Sequence, residues 1–295
     1  LEVVNAVTYR SYGKINLYLD VLERRPDGFT NIETIFQTID LWDELRVEVG
    51  GDGIEFTCSE ADLCAPEENL VYRAAKLIRE RARLTEGVKL HLDKRLPVAA
   101  GLAGGSGNAA AALIALNDLW SLGFSDEVLA EMALALGSDV PYCLKGGTVA
   151  ATGRGEVMEA LPAITPQWLV LVHPPLAITA GHAYGHPKLT RNLEVSEGGK
   201  TLAFREALAK LAKGDVAAMV FNRMESGVFH DHPELASIKA RLRDYGCDAS
   251  AMSGSGPTVF GLCADEASAR SAGDHFNDYR VSVIRTAPLG VERRE

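Results

Sequence analysis

The sequence predicts an α+β protein of two domains, and three observations carry that reading. Hydrophobic residues at strand and helix spacing are mixed along the chain without the strict alternation that builds a doubly wound parallel sheet. The 295 residues suffice for two medium cores. Pro162-Ala163-Ile164-Thr165-Pro166 interrupts the pattern near the middle, dividing the chain into an N-terminal domain over 1–162 and a C-terminal domain over 163–295.

Taken in order, Ile15, Leu17, Leu19 and Val21 alternate with Asn16, Tyr18 and Asp20, the period of a strand with one buried face. Arg25-Pro26-Asp27-Gly28 supplies a turn, and Ile35, Gln37 and Ile39 fall on a second alternating run. Segments 45–49 and 54–58 flank Gly51-Asp52-Gly53 and read as a second hairpin. Leu70, Ala74, Leu77, Ile78 and Ala82 recur at helical spacing, with Asn69 placed to cap them. Val88, Leu90 and Leu92 form a strand that runs through Asp93-Lys94-Arg95 into a glycine-rich turn and an alanine-rich helix ending near Gly123. Another helix runs to Leu136 and is closed by Gly137, which leaves Ser138-Asp139-Val140-Pro141 in a loop. Strands are expected at 148–152 and 168–172, and helices at 201–212, 215–226 and 233–244. Strands near 248–252, 257–263 and 280–286, with a helix near 265–276, complete the chain.

Composition narrows the function. The chain is 47% hydrophobic and 24% charged, ordinary for a soluble globular protein, and no run approaches the ~18 apolar residues of a membrane span. The visible start lacks a basic and apolar leader, so a cytoplasmic protein is expected. A net charge of −10 disfavours nucleic acid as a partner, and an anionic small-molecule substrate would need a local basic pocket. The five cysteines are scattered singly and the histidines show no ligand cluster, so inert thiols and no protein-held metal are expected.

The most informative stretch is PVAAGLAGGSGNAAAAL at 97–113. Glycines at 101, 104, 105 and 107 let backbone N–H groups approach a ligand, and the helix that follows points its positive end back at the turn. This is a cradle for phosphate. A Walker A loop is excluded because no lysine follows these glycines, and a dinucleotide fingerprint is excluded by the G-x-x-G-G-x-G spacing. A glycine-rich helix entry packed closely on a sheet remains the structural alternative.

Three separated pieces, KINLYL at 14–19, the glycine stretch, and MSGSGPTVFG at 252–261, resemble in order and spacing the motifs of the GHMP kinases, the superfamily of galactokinase, homoserine kinase and mevalonate kinase. KINLYLDVLERRPDGF, ENLVYRAA, DKRLP, GSDVPYCLKGG, GRGE and HPPLAIT extend the likeness over nearly the whole chain. They make it most similar to the branch that phosphorylates a cytidine-diphosphate-linked methylerythritol in the non-mevalonate route to isoprenoids. The resemblance implies a two-domain GHMP kinase fold, with a ribosomal S5 domain 2-like N-terminal domain, a ferredoxin-like C-terminal domain and a cleft between them. It also implies ATP and Mg2+ as cofactors, and a monomer or homodimer acting without membrane or nucleic acid.

Residue by residue, the resemblance assigns Asp139 to the attacking hydroxyl, with Lys14 beside it to stabilise the developing alkoxide. A carboxylate is a weak base toward a ground-state alcohol, so its first task is orientation. ATP is assigned to Pro97, Ala100, Gly101, Leu102, Ala103, Gly104, Gly105, Ser106 and Gly107 for the phosphates, and to Asn69 and Lys94 near the adenine. Magnesium would rest mainly on phosphate oxygens and water. Asn16 would lie near the polyol, and Phe29, Thr30, Lys145, Thr179 and Tyr184 around the cytidine diphosphate. The chain departs from the family where Phe29-Thr30 replaces tyrosine-histidine, Gly13 an alanine and Gly107 a serine. Thr30 removes a bond to the cytosine edge, while Phe29 keeps an aromatic surface. A kinase for another polyol or sugar phosphate, and a non-catalytic nucleotide sensor, are the competing readings.

Overall fold

The structure, a computed structural model, describes residues 6–60, 64–194 and 199–294. Its centre is a bulged antiparallel pair of long strands, β1 (Ala6–Arg24) and β2 (Thr30–Asp52), joined by the turn at 25–29. β3 (Ile54–Cys58), helix α1 (Leu70–Ala82), β4 (Glu86–Asp93), helix α2 (Gly104–Leu119) and helix α3 (Asp126–Leu136) follow. The first half closes with the short helix α4 (Val140–Lys145) and strands β5 (Thr148–Thr152) and β6 (Val157–Ala160).

The second half runs β7 (Trp168–His173), α5 (Ala180–Gly185), α6 (Leu202–Ala212), β8 (Phe221–Asn222), α7 (Glu225–Asp231) and α8 (Pro233–Asp244). It ends with β9 (Ala249–Met252), β10 (Val259–Cys263), α9 (Glu266–Gly273), β11 (Arg280–Arg285) and β12 (Val291–Arg294). The first sheet carries the order β12-β1-β2-β4-β3, with β5 and β6 continuing from β2 and β8 pairing with β1. The second is an antiparallel sheet in the order β11-β7-β10-β9. No described helix is long and apolar enough to cross a membrane.

Three packed clusters hold these layers together. Leu45, Val47, Val88 and Leu90 of the first sheet meet Ala74 and Ile78 of α1 and Ala109, Ala112 and Leu116 of α2. The small side chains of α2 let that helix sit close to its neighbours, which is why its alanines are buried almost all round. Ile15, Leu17, Ile35 and Ile39 pack on Leu169, Leu171 and Phe260, so the two sheets share a core. Val170 and Val172 cover the other face of the second sheet against Leu235, Ile238 and Ala269.

Several local expectations are corrected. The glycines at 51 and 53 do not make a hairpin, because β4 inserts between β2 and β3, and β3 runs parallel to β4. The turn brings its carbonyls so near Gly87 that a Cβ there would lie 2.7 Å from the oxygens of Gly51 and Gly53. Residues 215–226 are not one helix. Phe221 and Asn222 leave helical geometry to pair with Tyr18 and Leu19, and the Asn222 side chain donates to the carbonyls of Met252 and Gly254 at 2.7 and 2.8 Å. Tertiary hydrogen bonds override helix spacing there. Val140-Pro141 opens α4 instead of continuing a loop, with Asp139 at the N-cap position. The histidines, read as unclustered, include a grouping of His182 and His186 with Asp231.

Candidate active site

Backbone irregularity places the first functional side chain. The β1/β2 register shifts between Tyr12 and Lys14, and the Lys14 amide donates to the Leu102 carbonyl at 3.0 Å. β1 is thereby stitched to the glycine turn. Gly13 suits the junction, since a Cβ would stand 2.8 Å from Leu96 Cδ2 and 3.3 Å from the Leu102 oxygen. The Lys14 side chain is buried, and its ammonium donates to Asn16 Oδ1 at 2.8 Å and to the Gly101 carbonyl at 3.2 Å. Asp139 Oδ2 lies 3.6 Å from the same nitrogen. Asn16 is itself fixed by donating to Thr34 Oγ1 at 2.8 Å.

The glycine turn enters α2 at Gly104, with Ala103 at the N-cap and no side chain capping the first turn. The amides of residues 104–106 are left without a side-chain partner, as an anion site requires. Gly101 has φ +75°, and a Cβ on it would meet the Ser253 carbonyl at 2.0 Å. The Ser253 hydroxyl also donates to the Gly101 carbonyl at 2.9 Å, so the 252–256 loop of the second sheet closes on the turn. Gly254 lies directly over Lys14, with its Cβ position 3.4 Å from Nζ. Gly107 packs against Tyr12, whose carbonyl would stand 3.1 Å from a Cβ. A side chain larger than glycine needs the strand to move back.

These groups open into a cavity of about 680 Å³. Of the residues expected at the site, Lys14, Asn16, Phe29, Thr30, Gly101, Ala103, Ser106, Asp139 and Tyr184 line it. Burial, and then the Asp139 charge, push the Tyr184 hydroxyl well above the ordinary phenol range, so it serves as a neutral donor. Among the described residues Asp139 is the one carboxylate in the wall, against the cations Lys14, Arg24, Arg154 and Arg191. An acidic chain thus holds a basic pocket, suited to a phosphorylated ligand.

Other expected residues stand elsewhere. Asn69 caps α1, its Oδ1 accepting from the Val71 amide at 2.9 Å. The Lys94 ammonium lies beneath Gly104 and bonds the buried Asp43 carboxylate, which also accepts the amides of Arg95 and Leu96. Pro97, Ala100, Leu102, Gly104, Gly105 and Gly107 shape the turn without lining the cavity. Thr179 caps α5 through the His182 amide. Lys145 is mostly exposed, 3.0 Å from Asp126 and outside the cavity.

The cavity wall also carries Arg154, whose guanidinium carbon stands 4.3 Å over the Phe29 ring centroid. Its GRGE turn matches the family pattern, but the sequence by itself assigns the arginine no role. The available signal was a charged residue between two glycines, both of which adopt positive φ. Arg191 was also missed. It donates to the carbonyls of Leu22 and Tyr184 and ties the α5 side of the cavity to β1.

The donor set suits a metal–nucleotide as the sequence suggests. A single carboxylate already facing an ammonium, with the Ser106 hydroxyl in the wall, cannot make an all-protein cage, but can complete the shell of a cation carried on phosphate oxygens.

Comparison with known proteins gives two family matches, the GHMP kinases N terminal domain over residues 69–147 and GHMP kinases C terminal over 204–280. A 4-diphosphocytidyl-2-C-methyl-D-erythritol kinase of Pelotomaculum thermopropionicum is 43% identical over 283 residues, spanning 95% of this chain and 98% of that protein. The enzyme of the same name from Shouchella clausii is 38% identical over 280 residues, 93% of each chain. Among solved structures, a 4-(cytidine 5'-diphospho)-2C-methyl-D-erythritol kinase superposes with a TM-score of 0.81 at 33% identity, covering 95% of this chain and 99% of that one. A homoserine kinase from Cytophaga hutchinsonii, at 18% identity and a TM-score of 0.78, shares the fold.

Proposed function

The chain belongs to the GHMP kinases, within the group of 4-diphosphocytidyl-2-C-methyl-D-erythritol kinases, and from that premise we infer that it transfers the γ-phosphoryl group of ATP to the 2-hydroxyl of 4-diphosphocytidyl-2-C-methyl-D-erythritol. The observation that carries the reading is the Lys14 ammonium 3.6 Å from the Asp139 carboxylate, in a basic cavity bordered by the glycine turn. Opposite charges there flank the place where an alcohol oxygen must sit.

In this reading the uncapped amides at the start of α2 bind the ATP phosphates, and Ser106 adds a hydroxyl. Asp139 accepts a hydrogen bond from the acceptor alcohol and orients it, then takes its proton as the new P–O bond forms and the bond to ADP breaks. Lys14 stabilises the negative charge on the attacking oxygen, and Asn16 holds the polyol beside it. Asp139 and Ser106 are the wall groups that would complete the shell of a magnesium ion brought in on the nucleotide, which would supply charge neutralisation for the phosphates.

Phe29 offers the flat surface for the base and Tyr184 a neutral hydroxyl, while Arg24, Arg154 and Arg191 offset the diphosphate charge. Asn69 and Lys94 act on ATP indirectly, through the helix and turn they hold. The same reading keeps the division at 162/163, a cytoplasmic location and a monomer or homodimer.

The test is steady-state ADP release with ATP-magnesium and the cytidyl substrate, set against uridyl and uncharged polyol analogues. Turnover that requires the cytidyl diphosphate is expected. Equal turnover on simple polyols would transfer the reading to a different GHMP kinase.

A further inference from the structure

We propose that His182, His186 and Asp231 form a binding site for a divalent transition-metal ion of the zinc type, separate from the magnesium carried by the nucleotide. His182 lies on α5 and His186 caps its C-terminus, four residues on. That spacing sends both imidazoles to one side of the helix, toward Asp231 at the end of α7. Asp231 Oδ2 stands 3.3 Å from His182 Nε2 and 3.1 Å from His186 Nε2, and the three donor atoms lie within 4.8 Å of one another. Ligands about 2.0–2.1 Å from a tetrahedral zinc stand roughly 3.3 Å apart, so two edges of the triangle already have the spacing of a metal site.

Two imidazole nitrogens and one carboxylate oxygen select zinc, cobalt or nickel over magnesium or calcium, which take oxygen. His186 is buried and fixed, because its ring fills the space a Cβ on Gly227 would need, 2.8 Å from Nδ1. His182 and Asp231 reach solvent and leave an entry path and a fourth position for water. His186 Nδ1 now accepts the Lys188 amide at 3.1 Å, which keeps the proton of the neutral ring on Nε2, facing Asp231. On metal binding that proton moves to Nδ1 and the Lys188 contact opens. The lost contact makes the site weaker than one whose tautomer is set in advance. The metal would join α5 to α7, and α5 contributes Ala180, Gly181, Tyr184 and Gly185 to the substrate side of the catalytic cavity.

The experiment uses the whole chain, stripped with chelator, near neutral pH. Zinc chloride is titrated calorimetrically, and cobalt chloride is followed by visible absorption. One zinc per chain is expected, with the intense absorption of four-coordinate cobalt, unaffected by excess magnesium. His182→Ala and Asp231→Asn should each weaken zinc binding by about tenfold or more. His182 is half exposed, so His182→Ala should keep the wild-type thermal midpoint in chelator, which separates loss of a ligand from loss of fold. An unchanged zinc isotherm in His182→Ala, including one due to the exposed Cys64, overturns the site, as does no uptake at sub-millimolar zinc.

Discussion

Gly101→Ala is the sharpest perturbation of the proposed site. An added Cβ would stand 2.0 Å from the Ser253 carbonyl oxygen, 3.0 Å from its carbon and 3.1 Å from the Gly256 oxygen, all backbone. No side chain can swing aside to relieve this, so the glycine turn and the 252–256 loop must separate by about 1 Å to reach the closest contact real Cβ atoms show. The residue also sits at φ +75°, where alanine costs a further ~1 kcal/mol. Separation breaks the Ser253 hydroxyl bond to the Gly101 carbonyl and moves an acceptor of the Lys14 ammonium. Misplacement on that scale costs about 10²-fold in rate. The assay is steady-state ADP release, with urea unfolding to confirm a folded variant. Gly137→Ala is the control, because its Cβ would meet Val140 Cγ2 at an ordinary 3.4 Å outside the phosphate turn, and it should stay within about threefold of wild type. Equal rates for both variants would refute the claim that the turn works by close approach of the two loops.

Asp139→Asn should lower kcat by roughly 10²–10⁴-fold while ATP affinity measured by calorimetry stays close to wild type. Phe29→Ala should raise KM for the cytidyl substrate with little change in KM for ATP, and a matching rise in both would remove Phe29 from the base-binding surface. Asp43→Asn should destabilise the chain by about 3–5 kcal/mol in urea melts, because the Lys94 ammonium is left buried without its partner. Burial, and then the Arg280 charge, hold the His173 imidazole down to about 4, against ~6.5 in an unfolded chain. The unfolded chain therefore binds a proton that the fold refuses, so this contribution is complete above pH ~6.5 and is lost as pH falls toward 4, at most roughly 3 kcal/mol. His173→Gln should flatten the urea midpoint across that window, and an unchanged slope would remove His173 from the acid response.

The parts of this molecule that can be read from sequence are those whose physical cause is local. Helix α1 is announced by its apolar stripe and by Asn69, which does cap it. The alternation from Ile15 to Val21 marks β1, although its bulges depend on a partner strand the pattern does not name. β12 is invisible because Val291–Arg294 carries three charged residues in four, and exists only because Tyr9 and Arg10 offer it a free edge. β8 is hidden for the same reason, being two residues long and fixed by Asn222 reaching across to Met252 and Gly254. In the candidate site, motifs point to Lys14, Asp139 and the turn, which the fold does bring together, whereas Arg154 required knowing that β5 and β6 fold their turn back over Phe29. Lys145 shows the converse, since a lysine that matches by position stands beside Asp126, outside the cavity.

The arrangement around Lys14 explains why a site so dependent on position can be built from elements far apart in sequence. An ammonium has three hydrogens, and its surroundings offer three oxygens: Asn16 Oδ1 from β1, the Gly101 carbonyl from the phosphate turn, and Asp139 at the start of α4. The Gly101 carbonyl is shared with the Ser253 hydroxyl, so the same atom registers the second sheet. Gly254 then lies close enough over Nζ to exclude a bulkier cation. Each contact is made on folding, before any substrate enters, and the desolvation of Lys14 is offset by bonds that also fix the distances between strand, turn and helix. In the proposed reaction, when charge develops on an alcohol oxygen beside Asp139, the opposing charge is already in place, and little reorganisation is left for the chemical step.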